Sequence, residues 1–322
     1  MDSLKKTNIQ SCADAGSKYC PCHLAYSGDC IKCSLNRGEK TCDCLWQGVC
    51  IYSELQHNKD AQICEREESL CEIVEVKELV DNIILMRVSI PKTIAKDLCS
   101  PGAYVLLKSK DRSSIIFNTP ISVMNVDVEN NILEMIIKPR GIKTKTLVDF
   151  DQVWLKGPYF NGVFGIDDIK YTSNSNCAVI LNGLSQVNSI NIIKSLINNN
   201  NKVDVFMNTQ GVILEEVVNK IIEAGANVRT IDMNEDEDFI KDYLKRNNVE
   251  LVYSGGHTSF NKKMMNKIDS VNPDIKLVIP NNNLICCGEG ICGACTVNLN
   301  GTRVKSCKAQ IDSRTYLKSL LI

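Results

Sequence analysis

Four cysteines near the end of the chain have a spacing that suits an iron–sulfur cluster. Cys287, Cys292 and Cys295 are arranged as C-x4-C-x2-C, and Cys307 follows after eleven further residues. Plant-type [2Fe–2S] proteins hold their cluster with thiolates in this arrangement. Tetrahedral zinc usually lies between two C-x2-C pairs, and this segment has only one. The spacing therefore predicts a [2Fe–2S] cluster, with zinc or structural thiols as the alternatives.

Glycines separate these cysteines, which suits a loop that must wrap closely around a cluster. Gly288, Gly290 and Gly293 can adopt backbone angles that other residues avoid. Such a loop also directs backbone N–H groups at the ligand sulfurs, which tunes the reduction potential of the cluster. Cys286 is an alternative ligand, but only its neighbour Cys287 gives the x4 spacing.

Eight further cysteines are clustered in residues 1–66, a segment with few leucine, isoleucine and valine residues. A segment this short cannot bury a stable core unaided, whereas bound metal can hold it together. Two four-cysteine sites are arithmetically allowed, each either zinc or [4Fe–4S], and the spacing does not decide between them. The predicted ligands are Cys12, Cys20, Cys22, Cys30, Cys33, Cys42, Cys44 and Cys50.

The composition of the chain indicates how these thiols are to be interpreted. Its 322 residues include 17 cysteines and carry a net charge of −1, so nothing points to nucleic acid or to an anionic membrane surface. The chain begins without an apolar signal segment and has no apolar run of membrane-spanning length. We therefore expect a cytoplasmic protein, in which thiols stay reduced and favour metal binding over disulfides.

Two different patterns occupy the region between the cysteine-rich ends. Residues 67–168 contain short strand-like runs, with Asp81 and Asn82 as a turn between two of them, and predict an antiparallel β-barrel. Residues 169–282 alternate apolar strands, such as KVDVFMN at 202–208, with amphipathic helices. This alternation predicts a parallel α/β sheet.

The predicted fold class is accordingly α+β and multidomain. An antiparallel β-barrel (67–168) is followed by a parallel, nucleotide-binding-like α/β sheet (169–282). Small cysteine-rich metal-binding modules lie at both ends, over residues 1–66 and 283–322.

This order of regions resembles the electron-transfer subunit of dihydroorotate dehydrogenase, a family within the ferredoxin–NADP reductase superfamily. The resemblance covers about residues 70–310 and rests on short motifs that occur in the family's order. They are PGAYV at 101–105, TPIS at 119–122, GIKTKTL at 141–147 and GPYFNGVF at 157–164, followed by the terminal cysteines. Residues 1–66 have no counterpart in that family.

The resemblance implies that the barrel binds FAD, that the α/β domain binds NAD(H), and that the cluster relays electrons to a partner subunit. Pro120, Ile121 and Ser122 are then expected along the flavin. Gly141 and Thr144 are expected to open a helix whose N–H groups face the flavin pyrophosphate. Thr119 stands where the family has an arginine, and a hydroxyl does not replace an arginine fork in kind.

The nucleotide loop departs further from the family pattern. In place of a glycine-rich turn, residues 182–189 read NGLSQVNS, and of the glycines only Gly183 remains. Gln186 and Val187 are expected to crowd the space that a pyrophosphate needs. Residues 254–260, SGGHTSF, stand where a Gly-Pro motif on the nicotinamide side is expected. We therefore expect NAD(H) binding to be weakened or lost.

The predicted function is that of an oxidoreductase electron-transfer subunit. It relays electrons between a redox partner protein, or a catalytic subunit of the same hetero-oligomer, and an acceptor protein through the terminal cluster. Because added redox clusters suit an electron-transfer protein, we expect the N-terminal cysteines to bind iron–sulfur clusters rather than zinc. The alternative is a non-catalytic iron–sulfur sensor, scaffold or assembly protein derived from a reductase, which the loss of the glycine loop favours.

Overall fold

The computed structural model describes residues 9–44, 46–57, 64–111, 118–235 and 238–320. Parts of the predicted module 1–66 therefore lie outside the described residues. Its described elements are short: strand β1 (Ile9–Cys12), helices α1 (His23–Tyr26) and α2 (Ile51–His57), and a 3-10 turn at Leu35–Arg37. Its buried apolar core is correspondingly small, consisting of Ala25, Cys30, Cys33, Ile51 and Leu55.

An antiparallel sheet follows in the region predicted as a barrel. Its strands and helices are β2 (Glu68–Val80), β3 (Ile83–Ser89), α3 (Lys92–Ala95), β4 (Tyr104–Ser109), β5 (Thr119–Ser122), β6 (Asn125–Asp127), β7 (Ile132–Ile137), α4 (Ile142–Lys145) and β8 (Gln152–Tyr159). The seven strands run in the order β5-β4-β8-β2-β3-β7-β6. Asp81 and Asn82 form the β2–β3 turn with φ values of 49° and 60°, as Asp-Asn turns can. The sheet is thus a half-barrel, with β5 and β6 at its edges.

The next region is a layered α/β structure. It comprises β9 (Val163–Phe164), α5 (Ile166–Tyr171), β10 (Asn176–Leu181), α6 (Ser189–Asn198), β11 (Lys202–Asn208), α7 (Glu215–Glu223), β12 (Asn227–Ile231), α8 (Phe239–Asn247), β13 (Val249–Gly255), α9 (Thr258–Val271) and β14 (Lys276–Pro280). The sheet order is β12-β11-β10-β13-β14-β9. The first five strands are parallel, and only β9 is antiparallel. Buried apolar runs on β10 and β11 fit strands that helices cover on both faces.

The last segment contains β15 (Thr296–Leu299), β16 (Thr302–Lys305), β17 (Ala309–Ile311) and α10 (Ser313–Ser319). Strand β17 pairs antiparallel with β1, so that Cys12 lies opposite Ala309. Asn161 holds the segment against the half-barrel, because its buried Nδ2 donates to the carbonyls of Ser306 (2.6 Å) and Ala309 (2.8 Å). The two ends of the chain therefore meet in one small sheet.

The predicted combination of an antiparallel β region with α/β structure is confirmed at the level of a mixed α/β architecture, and the region predicted as a β-barrel is a half-barrel. Two strand pairings cross the predicted domain boundaries. Strand β9 falls within 67–168 but joins the α/β sheet, and β1 falls within 1–66 but joins the terminal segment. No helix in the described part of the chain is both long and apolar enough to cross a membrane.

Candidate functional site

The four terminal cysteines come together in the loop before β15 and the turn after β16. The Cys287 side chain lies within hydrogen-bonding reach of Cys292 and Cys307, and that of Cys295 within reach of Cys307. Cys295 and Cys307 are buried, whereas Cys287 is half-buried and Cys292 is exposed. Cys286 also contacts Cys292. The predicted ligands thus form one group with one solvent-facing edge.

Hydrogen bonds within this group make two of its thiols unusually acidic. Hydrogen bonding with the neighbouring Cys307 thiol lowers the pKa of Cys287 to about 4 and that of Cys295 to about 6. The same bonds raise the pKa of Cys307. The backbone N–H of Glu289 also donates to the Cys287 sulfur at 3.3 Å. Thiolates, not thiols, are the form of cysteine that binds metal.

The loop backbone fits the shape that a cluster-binding segment needs. Gly288, Gly290 and Gly293 have φ values of 70°, 76° and 79°, which favour glycine. A Cβ atom on Gly288 would lie 2.4 Å from the Tyr159 ring. No three His, Cys, Asp or Glu side chains of the described residues converge to hold a single metal ion. A [2Fe–2S] centre does not need that convergence, because four cysteines are shared between two irons.

A buried network of four charged side chains lies behind the loop. Arg66 donates to Asp14 at 2.7 Å and to Glu289 at 3.1 Å. Lys308 contacts the same two carboxylates, and its distance to that of Glu289 is 2.8 Å. Burial alone raises the pKa of Glu289, but Lys308 and Arg66 lower it overall. Two cations therefore balance two anions away from water. The sequence does not reveal this network, because its members are far apart in the chain.

A cavity of about 400 Å³ adjoins the loop, within the size range of small-molecule sites. Leu106, Asn118 and Lys156 line it from the half-barrel, and Cys287 and Cys292 from the cluster loop. Nearby, the Tyr104 and Tyr159 rings stack at 5.2 Å, and their buried hydroxyls have no hydrogen-bond partner among the described residues. The rest of the lining comes largely from the N-terminal module, including Tyr19, Cys22 and Arg66.

The residues predicted to bind FAD lie in two places. Strand β5 (Thr119–Ser122) pairs with β4, where Pro120 is opposite the cavity-lining Leu106. Ile121 points into the half-barrel core, Pro120 is exposed, and Thr119 and Ser122 are half-buried. Strand β5 is thus beside the cavity, though its four residues are not among those lining it within the described chain.

Gly141 and Thr144 form a separate, exposed helix start. The Thr144 hydroxyl accepts the Gly141 N–H at 3.2 Å, which uses one of the backbone donors at this end of the short helix α4. The structure does not bring either residue to the cavity. Their predicted contact with a flavin pyrophosphate stays a prediction.

The nucleotide loop of the α/β sheet is filled by its own side chain. Gln186 is completely buried, donates to the carbonyls of Gly183 and Val212, both at 2.8 Å, and accepts the N–H of Leu214 at 2.9 Å. The loop forms a 3-10 turn at Gly183–Asn188 next to the point where the strand order reverses. Open α/β sheets bind ligands in that crevice. Here, Gln186 ties the loop to the neighbouring strand connection instead.

The N-terminal cysteines separate into two neighbourhoods. Cys12, Cys20, Cys22 and Cys30 line one small cavity. The sulfurs of Cys42 and Cys44 are 3.5 Å apart in an exposed loop. Of the remaining two, Cys33 is buried and Cys50 is exposed.

Comparison with known sequences identifies relatives of this chain. The family model of the 2Fe-2S iron-sulfur cluster binding domain matches residues 249–320. The electron transfer subunit of dihydroorotate dehydrogenase B (NAD(+)) from Lysinibacillus sphaericus is 32% identical over 101 residues, which cover 30% of this chain and 38% of that protein. The subunit of the same name from Bacillus cereus is 25% identical over 236 residues, which cover 70% of this chain and 87% of that protein.

Solved structures show the same fold. The NADH-dependent reduced ferredoxin-NADP oxidoreductase, studied for flavin-based electron bifurcation, has a TM-score of 0.60 at 17% identity. It covers 78% of this chain and 93% of its own. The ferredoxin reductase in carbazole 1,9a-dioxygenase has a TM-score of 0.50 at 14% identity, over 66% of this chain and 69% of its own. The chain is thus similar to dihydroorotate dehydrogenase electron-transfer subunits, with a ferredoxin reductase-like fold and a 2Fe-2S domain match at its C-terminal end.

Proposed function

We propose that this chain is an iron–sulfur electron-transfer subunit that connects a redox partner with an acceptor protein. The observation that carries the proposal is the grouping of Cys287, Cys292, Cys295 and Cys307 within the segment that matches the 2Fe-2S domain. When bound there, a [2Fe–2S] cluster supplies a one-electron carrier.

The protein side chains around these cysteines divide the site into an inner and an outer part. Cys295 and Cys307 are only 2% and 3% exposed, so they exclude water from one side. Ile291, beside Cys292, is 62% exposed, and Leu284 is 82% exposed. Exposed apolar side chains next to a redox site suit a protein docking surface. We place the partner subunit of a hetero-oligomer here, as the names of the relatives suggest.

We also propose that FAD binds in the cavity between the half-barrel and the cluster loop. Leu106 supplies an apolar wall and Lys156 a cation, and the exposed Pro120 on β5 lies across from Leu106. Thr119, Ile121, Ser122, Gly141 and Thr144 remain proposed FAD-binding residues. The region 67–168 is accordingly proposed as the flavin domain.

Fewer observations support the binding of NAD(H) than the binding of FAD. The buried amide of Gln186 is fully engaged by Gly183, Val212 and Leu214. The loop therefore presents a packed side chain where the family has glycines that allow a pyrophosphate to approach. We propose that electrons enter from a protein partner and that residues 169–282 serve mainly as a structural unit.

The test is anaerobic purification of the full chain, followed by iron, sulfide and flavin analysis and electron paramagnetic resonance. We expect a [2Fe–2S] signal that Cys292→Ser removes or strongly changes, because a ligand is lost. Cys99→Ala is the matched control, since Cys99 is a half-buried thiol that donates only to the Ala95 carbonyl at 3.6 Å. An unchanged signal in the Cys292 variant would refute the ligand assignment and the proposed function with it.

A further inference from the structure

Arg66 is the last residue of the predicted module 1–66, and its side chain is only 2% exposed. Each of its three guanidinium nitrogens has a partner in a different part of the chain. The Nε group donates to the carbonyl of Pro158 in the half-barrel. One terminal nitrogen donates to both carboxylate oxygens of Glu289 in the cluster loop, each at 3.1 Å. The other donates to Asp14 of the module at 2.7 Å. Arg66 thus joins three regions of the chain.

Two aromatic rings flank this guanidinium group. Its central carbon lies 4.2 Å from the centre of the Tyr19 ring and 4.4 Å from that of the Tyr159 ring. Tyr19 belongs to the N-terminal module, whereas Tyr159 ends β8 and stacks on Tyr104 at 5.2 Å. Arginine can combine contact with aromatic rings and hydrogen bonds in the plane of its guanidinium group, and lysine cannot. The position of Arg66 is therefore determined by ring contacts as well as by hydrogen bonds.

The contacts of Arg66 continue to a ligand of the proposed cluster. Glu289, which Arg66 holds by its carboxylate, donates its backbone N–H to the Cys287 sulfur at 3.3 Å. The residue between them, Gly288, lies against the Tyr159 ring, where a Cβ atom would come within 2.4 Å. This segment of the loop is therefore held at one residue by an aromatic ring and at the next by an ion pair.

Lys308 is a second cation in the same buried group, and its ammonium nitrogen lies 2.8 Å from the Glu289 carboxylate. Two positive charges, on Arg66 and Lys308, balance the two negative charges of Asp14 and Glu289. Lysine at position 66 would keep this balance but would lose the arrangement of three nitrogens in one plane. The effect of geometry can therefore be separated from the effect of charge by experiment.

We infer that Arg66 is a positioning residue for the terminal cluster site, which holds Glu289 so that its backbone N–H is directed at the Cys287 sulfur. Reduction of an iron–sulfur cluster places extra negative charge on its sulfurs. A hydrogen bond to a ligand sulfur stabilises that charge and raises the reduction potential. This role of Arg66 rests on the proposed function, in which Cys287 is a cluster ligand. It makes the N-terminal module, which supplies Arg66, Asp14 and Tyr19, a part of the cluster site.

The experiment measures the midpoint potential and the paramagnetic resonance signal of the [2Fe–2S] cluster in the full chain and its variants, all purified anaerobically. Arg66→Lys should lower the potential and change the g values, because the N–H bond to Cys287 is weakened while the charge at position 66 is kept. Tyr19→Leu removes one flanking ring without changing any charge, and it should lower the potential as well. Tyr19→Phe keeps the ring and should leave the potential unchanged.

Arg314→Lys is the matched control for the change at position 66. Like Arg66, Arg314 bonds both a carboxylate, that of Asp269 at 2.8 Å, and a backbone carbonyl, that of Ile275 at 2.8 Å. Neither of these partners belongs to the cluster loop. The same chemical change at Arg314 should therefore leave the potential and the g values as they are in the unaltered chain.

Hydrogen exchange of the iron-free chain gives a second measurement, which does not depend on a cluster. In Arg66→Lys the backbone N–H of Glu289 should exchange at least about tenfold faster than in the unaltered chain, because the charged hydrogen bonds that hold this residue are lost. Tyr19→Leu should also exchange faster than Tyr19→Phe. Arg314→Lys should not change the rate. Mass spectrometry of short peptides around residue 289 gives these rates.

Two results would overturn the role given to Arg66. One is a potential or an exchange rate in Arg66→Lys equal to that of the unaltered chain, which would mean that position 66 contributes charge alone. The other is an equal shift in Arg314→Lys, which would mean general loosening of the fold. If Arg66→Lys does not fold, identical values in Tyr19→Leu and Tyr19→Phe would overturn the role as well. If the unaltered chain forms no [2Fe–2S] cluster, the proposed function fails, and the exchange rates alone still test the position of Glu289.

Discussion

The ammonium group of Lys308 contacts the carboxylate of Asp14, 294 positions earlier in the chain. Both side chains are almost completely buried, at 1% and 4% exposure. Asp14 also accepts from Arg66, so one carboxylate holds two cations. Removing one partner of a buried pair leaves an uncompensated charge, which is more costly than losing an exposed contact. The junction of the two chain ends therefore depends on Asp14.

We expect Asp14→Asn to lower the free energy of unfolding by about 3–5 kcal/mol, the typical effect of breaking a buried ion pair. Denaturant unfolding of the anaerobic protein measures it, with iron content determined in parallel. Asp151→Asn is the control, because Asp151 forms an exposed pair with Lys110 at 3.2 Å. Solvent screens such pairs, so the control should change little. Equal effects in the two variants would show that the network contributes no more than a surface pair.

A second ionic group joins the half-barrel to the α/β region. Glu134 on β7 accepts from Arg87 (2.9 Å) and Asn125 (2.8 Å) and pairs with Lys220 of α7 at 2.7 Å. Burial alone raises the pKa of Glu134, but the hydrogen bonds from Lys220, Asn125 and Arg87 lower it overall. A carboxyl whose pKa falls on folding stabilises the folded state above its unfolded pKa.

Glu134→Gln should therefore destabilise the protein most at neutral pH. The difference from the unaltered chain should begin to shrink as the pH falls below about 4.3, the ordinary pKa of glutamate, because the unfolded state then takes up the proton before the folded state does. Unfolding followed by tryptophan fluorescence across this range measures the difference. Glu250→Gln, at the more exposed pair with Lys276, should show a smaller effect. A difference that grows on acidification would contradict the sign.

Local sequence patterns predicted local structure well. The strand predicted at 202–208 occupies Lys202–Asn208, and the Asp81-Asn82 turn has the backbone expected of such a pair. The terminal cysteines were also predictable, since three ligands lie within nine residues and their spacing is itself the signal. Patterns of this kind depend on neighbours along the chain, which the sequence displays directly.

Contacts between distant segments could not be predicted in the same way. Residues 1–66 were predicted as a separate module, yet β1 pairs with β17 and Arg66 reaches Glu289. A single aspartate among surface-like residues gives no sign that it will be buried opposite a lysine almost three hundred positions later. The grouping of the first four N-terminal cysteines likewise depends on how the loops fold back on β1.

Gln186 was predicted to crowd the nucleotide crevice. In the structure its buried side chain holds the loop through hydrogen bonds, and a variant can test this role. Gln186→Ala would leave the buried N–H of Leu214 and two carbonyls without their side-chain partner. Loss of partners for buried polar groups costs about 1–3 kcal/mol. We expect a decrease of that size in the free energy of unfolding, measured by denaturant titration. Gln210→Ala, at an exposed side chain bonded to Asp232, is the control.

NADH titration by calorimetry complements this variant. Neither the unaltered chain nor Gln186→Ala should bind NADH with micromolar affinity, because alanine removes a side chain but does not restore the glycines that let a backbone approach a pyrophosphate. Micromolar binding by the unaltered chain would show that the crevice is functional and that electrons can enter from a nicotinamide.

The glycines of the cluster loop allow a matched comparison. Gly288 and Gly293 both have positive φ, so alanine is strained by a similar amount at either position. They differ in their surroundings. A Cβ on Gly288 would lie 2.4 Å from the Tyr159 ring, whereas the nearest atom to one on Gly293 is the flexible Lys305 ammonium group at 3.7 Å. Tyr159 itself is buried and stacked on Tyr104, so it cannot yield easily.

Gly288→Ala should therefore cost more than Gly293→Ala by about 1–3 kcal/mol, the usual range for forcing extra atoms into a packed region. Because the displaced segment carries Cys287, the same variant should also lower the yield of the [2Fe–2S] signal, while Gly293→Ala keeps most of it. Signal per chain and thermal unfolding of the two purified variants give both quantities. If Gly293→Ala proves the more damaging, backbone strain near Cys292 and Cys295 determines the stability of the loop. The contact with Tyr159 then does not determine the position of the loop.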